Sequence, residues 1–347
     1  MSTRPRRGRA AALHPIDLAL QGGGAHGAFT WGVLDRLLEE PDLRFDGISG
    51  TSAGAMNAAV LADGLAAGGA EGGRLALERF WRRVSDAALL SPLRRGPLEV
   101  LTGTWSLDYS PLFNAVEAAS RLLSPYALGP AASNPLQQIL ADSIDFDRLA
   151  RSPIRVFVNT TCVRTGKARV FRNAEVTVDA LLASACLPTL FQAVEIDGDA
   201  YWDGGYSGNP SLGPLVRECG ATDLVLVQIN PVERPGTPRT AREIHNRLNE
   251  ISFNSPLLKE LRIIALLRRE LELAGSESMR WARMHIHRIA SSEMLEFGYS
   301  SKLMAEWAFF EKLRDIGRRA AESFLAAHRG DIGRRSSLDL DVLLEGA

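Results

Sequence analysis

Between Ile16 and Leu65 one rhythm occurs twice: a short apolar run, a glycine-rich turn, then a helix-length segment. "IDLALQ" (Ile16–Gln21) reads as a buried strand and "GGGAHG" (Gly22–Gly27) as the loop after it. "AFTWGVLDRLLEE" (Ala28–Glu40) puts Phe29, Val33, Leu34, Leu37 and Leu38 on one helical stripe, which Pro41 ends. "FDGIS" is then a second strand and "SAGAMNAAVLADGL" a second helix. Strand, loop, helix, strand, helix is the rhythm of a parallel sheet covered by helices, so the chain is α/β.

Further along, the pattern from Glu71 to about Leu149 is mostly helical, interrupted by Pro92, Pro97, Pro111, Pro125 and Pro135. "RVFVNT" and "KARVFR" read as a strand pair around "RTG", and "VDALLASA" as a helix ended by Pro188. "AVEIDGDAYWDGGY" reads as a hairpin turning at Asp197-Gly198-Asp199. "DLVLVQI" (Asp223–Ile229) is the most apolar strand and is expected at the centre of the sheet. "NPVERPGTPR" marks a linker, after which the chain is largely helical apart from a strand at "MHIHRI" (Met284–Ile289). The expected organisation is a basic disordered tail over 1–14, a catalytic domain over 15–235, a mainly helical extension over 236–330 packed on the core, and a loosely ordered tail over 331–347.

Three constellations carry chemistry. Gly50-Thr51-Ser52-Ala53-Gly54 follows a strand and opens a helix, as a nucleophile elbow requires. The flanking glycines permit a sharp turn, and the helix start aims free amides and a positive dipole end at Ser52. The pentad alone is equally compatible with a helix N-cap at Ser52 or Thr51. Gly22-Gly23-Gly24-Ala25-His26-Gly27 leaves successive amides uncovered for an oxyanion. Its Gly-x-Gly-x-x-Gly spacing also fits a dinucleotide fingerprint, but that reading needs an acid at the far end of the second strand. That end reads Ser49-Gly50-Thr51, and the nearby Asp46 comes at the strand's beginning. Asp203-Gly204-Gly205 ends an aromatic-rich strand, where a partly buried carboxylate needs a partner such as a serine hydroxyl and neighbouring amides.

In this order, the three motifs resemble the patatin-like phospholipase family, over roughly Ile16 to Ile229. The resemblance implies a three-layer α/β/α fold with a mainly parallel central sheet, plus a C-terminal helical extension. It implies hydrolysis of lipid acyl esters by a Ser52–Asp203 dyad through an acyl-enzyme, with no metal or other cofactor. Amides of Gly22, Gly23 and Gly24, with that of Ala53, are expected to hold the oxyanion, supported by Gly27, Gly50, Gly54, Gly204 and Gly205. Relatives commonly carry Arg or Lys where this chain has His26. The expectation is that the backbone does the work there and His26 packs or caps, against a reading in which a titrating His26 holds an anionic headgroup.

Composition narrows the rest. Hydrophobic residues make up 46% and charged residues 23%, a globular mix, and a formal charge of -1 gives no field to attract nucleic acid. No apolar run is long enough to span a bilayer, and the basic N-terminus lacks the apolar core of a secretory signal. Cys162, Cys186 and Cys219 read as reduced core thiols, so the expected location is cytoplasmic, with peripheral contact at the inner membrane surface as a further option. Of six histidines, chain order permits His285 or His287 to complete a triad, but both share one strand face away from any glycine-rich loop. The amphipathic Ser255–Leu271 is expected to pack on the core rather than cover the acyl site or lie on a membrane. The competing functions are a lipid-binding protein without activity and a nucleotide-binding oxidoreductase.

Overall fold

A computed structural model describes residues 13–89, 91, 93–128, 134–269 and 276–343. The basic Arg4–Arg9 stretch lies outside the described residues. The elements run β1 (His14–Leu20), α1 (Gly27–Leu37), β2 (Leu43–Thr51), α2 (Ala53–Ala87), α3 (Pro97–Thr102), α4 (Pro111–Leu122), α5 (Pro135–Ser143), α6 (Phe146–Ala150), β3 (Arg155–Cys162) and β4 (Ala168–Arg172). They continue with α7 (Val178–Ser184), β5 (Val194–Ile196), β6 (Asp199–Asp203), α8 (Gly213–Glu218), β7 (Asp223–Val227), α9 (Ala241–Arg269), α10 (Ser276–Arg283), β8 (His285–Ile289) and α11 (Trp307–His328).

The parallel strands run in the order β3-β2-β1-β7-β8, and both β4 and the β5–β6 hairpin pair with β3. The pairs among β3, β2, β1, β7 and β8 are parallel, while the β5–β6 hairpin and β4 are antiparallel. β7 lies inside the sheet as its apolar sequence requires, but one place from the β8 edge rather than at the centre. Alternating residues bury on opposite faces, as the pleat dictates. Leu18, Leu20, Val156, Val158, Val225 and Val227 belong to one core with residues of α1, α2 and α11. Ala19, Phe157, Leu224, Leu226 and Ile286 belong to a second with residues of α8 and α9. The result is the expected three-layer α/β/α arrangement.

Three of the prolines between residues 71 and 149 start helices rather than merely stop them. Pro97, Pro111 and Pro135 occupy first-turn positions, where a missing N–H costs nothing. The Ser110 and Asn134 side chains accept from Phe113 N and Leu136 N, capping α4 and α5. α2 bends where Gly68 and Gly69 leave helical geometry.

The C-terminal third is built into this frame. β8 extends the sheet beside β7, and α11 lies against α1. There Gly32 and Gly317 allow backbone-to-backbone approach: an added Cβ would strike the Arg314 and Phe29 carbonyls respectively. Leu257, Leu261, Ile264 and Ala265 of α9 are buried in the second core, as the packed reading of that helix expects. Residues 331–343 depart from the expected loose tail. Leu338 N donates to Ile286 O at 3.1 Å, and Ile332 and Leu340 are buried. Among the described residues, no helix is long and apolar enough to cross a membrane.

Candidate active site

The β3 strand brings the two halves of the site together. β4 occupies one edge of β3 from Phe157 to Thr161. On the other edge, β2 pairs in parallel until Thr51 meets Asn159, and β6 then pairs antiparallel, with Asp203 opposite Thr160. The chain that leaves β2 at Ser52 and the chain that ends β6 at Asp203 therefore abut at adjacent rungs of one strand. The Ser52 side chain lies close enough to the Asp203 carboxylate to favour its charged form.

Ser52 sits at φ 55, ψ -124, a region that non-glycine residues rarely occupy and that costs about 1–3 kcal/mol. Its amide donates to Ser184 Oγ at 2.8 Å, and Ser184 Oγ donates to Asn159 O at 2.7 Å, so β3 fixes the strained turn. Ser52 is the residue before α2, and Ala53 is its first, where the amide has no acceptor within the helix. Gly54 is required by close approach, since an added Cβ would collide with the Leu20 and Gln21 carbonyls, and Gly50 packs against Gly54 in turn.

Asp203 is 1% exposed. Its Oδ1 accepts from Gly205 N at 2.7 Å, and its main-chain N and O bond Cys186 O and Thr161 Oγ1, each at 2.8 Å. Burial pushes the carboxyl up from 3.8 to about 7, partly offset by the Gly205 amide, the Ser52 hydroxyl and the charge of Lys302. Gly204 abuts the Asn159 carbonyl and Gly205 the Phe253 ring.

The glycine loop is held from below. Gln21 Oε1 accepts from Ile229 N and Asn230 N, each at 2.9 Å, and Asn230 Nδ2 donates to Gly22 O at 2.9 Å. One expectation needs correction. The Gly22 amide donates to Asn209 Oδ1 at 2.7 Å and is engaged, although it lies against Ser52. Gly23 and Gly24 carry amides with no protein acceptor among the described residues. Gly27 lets α1 approach Ala53 and Trp81.

His26 is buried, with Nε2 at 2.8 Å from Ser301 Oγ and its ring edge-on to Phe297 and Phe309. Burial, with the nearby Lys302 charge, lowers its pKa well below 6.5, so the ring packs as a neutral group. His26→Lys would place an ammonium among these rings and beside Lys302. A loss of at least about 3 kcal/mol is expected in urea unfolding; an unchanged midpoint would mean the position reaches water. His285 and His287 do share one face, but both rings face Asp223, at 3.3 and 3.0 Å, and His287 also contacts Ser337.

Ser52 and Asp203 open onto a cavity of about 410 Å³ whose walls are mainly apolar, among them Met56, Phe80, Trp81, Leu136, Ile139, Leu187, Phe253 and Phe310. Lys302, Asn249 and Tyr299 add polar groups from the C-terminal third. Sequence reasoning missed Asn209, Ser184 and Lys302, which lie outside the three motifs and carry no local signal. Elsewhere, Asp17, Asp46 and Cys219 place two carboxylates and a thiol within 4.8 Å of one another. Burial raises the Asp17 carboxyl to about 8 and pushes the Cys219 thiol up as well.

A family model described as patatin-like phospholipase matches residues 18–216. A comparison with curated proteins finds no match. Among solved structures, the chain is similar to VipD from Legionella pneumophila, with 14% identity and a TM-score of 0.37 over 91% of this chain and 67% of that one. It is also similar to the type III effector protein ExoU, with 17% identity and a TM-score of 0.32 over 91% of this chain and 54% of that one. Likenesses this distant add nothing to the family match.

Proposed function

The chain belongs to the patatin-like phospholipase family, and from that premise we propose that it cleaves carboxylic esters of lipids by a Ser52–Asp203 dyad. The observation that carries this reading is the meeting of a strained, helix-opening serine with a buried carboxylate at adjacent rungs of β3. Ser52 Oγ attacks the ester carbonyl carbon while Asp203 takes its proton. The amides of Gly23, Gly24 and Ala53 receive the oxyanion, each such donor being worth about 3–4 kcal/mol in the transition state. Gly22 serves by having no side chain beside Ser52. Collapse of the intermediate breaks the ester bond, and Asp203 returns the proton to the departing alcohol. A water deprotonated by Asp203 then releases the fatty acid and restores Ser52.

Burial suits Asp203 to this work. A carboxyl near 7 is a far better base than one at 3.8, and it remains largely ionised at mildly alkaline pH. The apolar cavity takes the acyl chain. Exposed Leu122, Leu123, Tyr126 and Phe191 lie on segments joined by the hydrogen bond from Ala193 N to Tyr126 Oη, beside the wall formed by Phe191, and favour peripheral contact with a lipid surface.

A fluorophosphonate probe tests the assignment directly. The expected result is one adduct, on the peptide that contains Ser52. An adduct on another serine with Ser52 unmodified would overturn it.

A further inference from the structure

Lys302 stands in the wall of the same cavity and is supplied by the 3-10 turn Ser300–Leu303, far outside the segment matched by the family model. Its main chain lies on the glycine loop: an added Cβ at Gly24, where φ is +57, would strike the Lys302 carbonyl. Its Nζ donates to Asn230 Oδ1 at 2.8 Å and to Asn249 Oδ1 at 3.1 Å. That uses two of the three N–H donors of an ammonium.

No carboxylate forms an ion pair with Lys302 among the described residues. The nearby Glu250 is held by Arg234 at 2.7 Å and Arg247 at 3.2 Å. A cation set in a mainly apolar wall without a paired anion is costly, and an anionic ligand relieves that cost. Asn249 adds a second donor, because its Oδ1 faces Lys302 and its Nδ2 has no acceptor among the described residues. The ring at position 26 is buried and neutral, and Lys302 supplies the positive charge beside the loop. The field of Lys302 reaches both Asp203 and His26.

We propose that Lys302 and Asn249 form an anion subsite that receives the phosphate headgroup of an acyl-glycerol substrate while its acyl chain fills the apolar cavity. The proposal rests on the hydrolase reading above and names the substrate class for that site. Desolvation lowers the Lys302 amine from 10.5 to about 8, and contact with phosphate would restore its full charge.

The test compares kcat/KM for a monoacylglycerol phosphate and for the monoacylglycerol of the same chain length. Wild type is expected to prefer the phosphate-bearing substrate by about tenfold or more, the scale of one charge-assisted contact. Lys302→Met lowers both rates and reduces that ratio by about tenfold, while Lys302→Arg keeps it within about threefold. Asn249→Leu provides a second variant and reduces the ratio about threefold. A ratio that stays constant in Lys302→Met and Asn249→Leu overturns the subsite and leaves Lys302 as a brace for the loop. Wild type that cleaves the neutral substrate but refuses the phosphate-bearing one overturns the subsite alone. Wild type that cleaves neither overturns the hydrolase reading itself.

Discussion

Ser52→Ala is expected to lower kcat for a soluble acyl ester by at least about 10⁴-fold, because the cradle and cavity that remain cannot replace a nucleophile. The variant should keep its affinity for lipid, since the change removes one oxygen from a cavity whose walls are mainly apolar. It should also fold, although alanine inherits the φ of 55 and therefore the strain. Hydrolysis measured by fatty-acid release, beside lipid co-sedimentation, separates the two effects. Residual activity within tenfold of wild type would remove Ser52 from the chemistry. Unchanged lipid binding with no turnover in wild type itself would favour a binding protein on this fold.

Asp203→Asn should lose catalysis by about 10³-fold or more and gain stability in the same pH range. The loss follows because an amide cannot take the Ser52 proton. In wild type, kcat/KM should rise as pH increases through about 7, where Asp203 becomes the free base, and level off above it. The stability effect has the opposite sense. Burial places the folded-state value of Asp203 above 3.8, so its stabilising contribution is complete below pH 3.8 and is lost as pH rises through about 7. Asparagine does not ionise and does not share this loss. The variant's advantage should therefore grow between pH 4 and 7, to a limit of about 4 kcal/mol. Asp17 titrates in the same direction in both proteins and cancels in the comparison. Urea unfolding of both proteins at several pH values checks the prediction, and a difference independent of pH would show that Asp203 is solvated.

Much of this site was legible because its motifs are local. Strand, glycine loop and helix follow one another in β1–α1 and β2–α2, so the turn chemistry around Gly22–Gly27 and Ser52 is written in neighbouring residues. The β5–β6 hairpin announces itself through Asp197-Gly198, both at positive φ. What stayed hidden depends on pairing between distant segments. Nothing in β3 alone says that β2 and β6 will share one of its edges, and the place of β7 near the β8 edge depends on a strand about sixty residues later. The engagement of the Gly22 amide by Asn209 and the arrival of Lys302 beside Gly24 are likewise contacts across long chain separations. Hydrophobic period reports which face of an element is buried, but not which neighbour buries it.

The reliance of the cavity on α9, the turn at Ser300–Leu303 and α11 bears on how the protein is made. Translation delivers Ser52 early, its carboxylate some 150 residues later, and the Lys302 and Phe310 wall later again. A nascent chain still tethered to the ribosome thus holds an incomplete pocket.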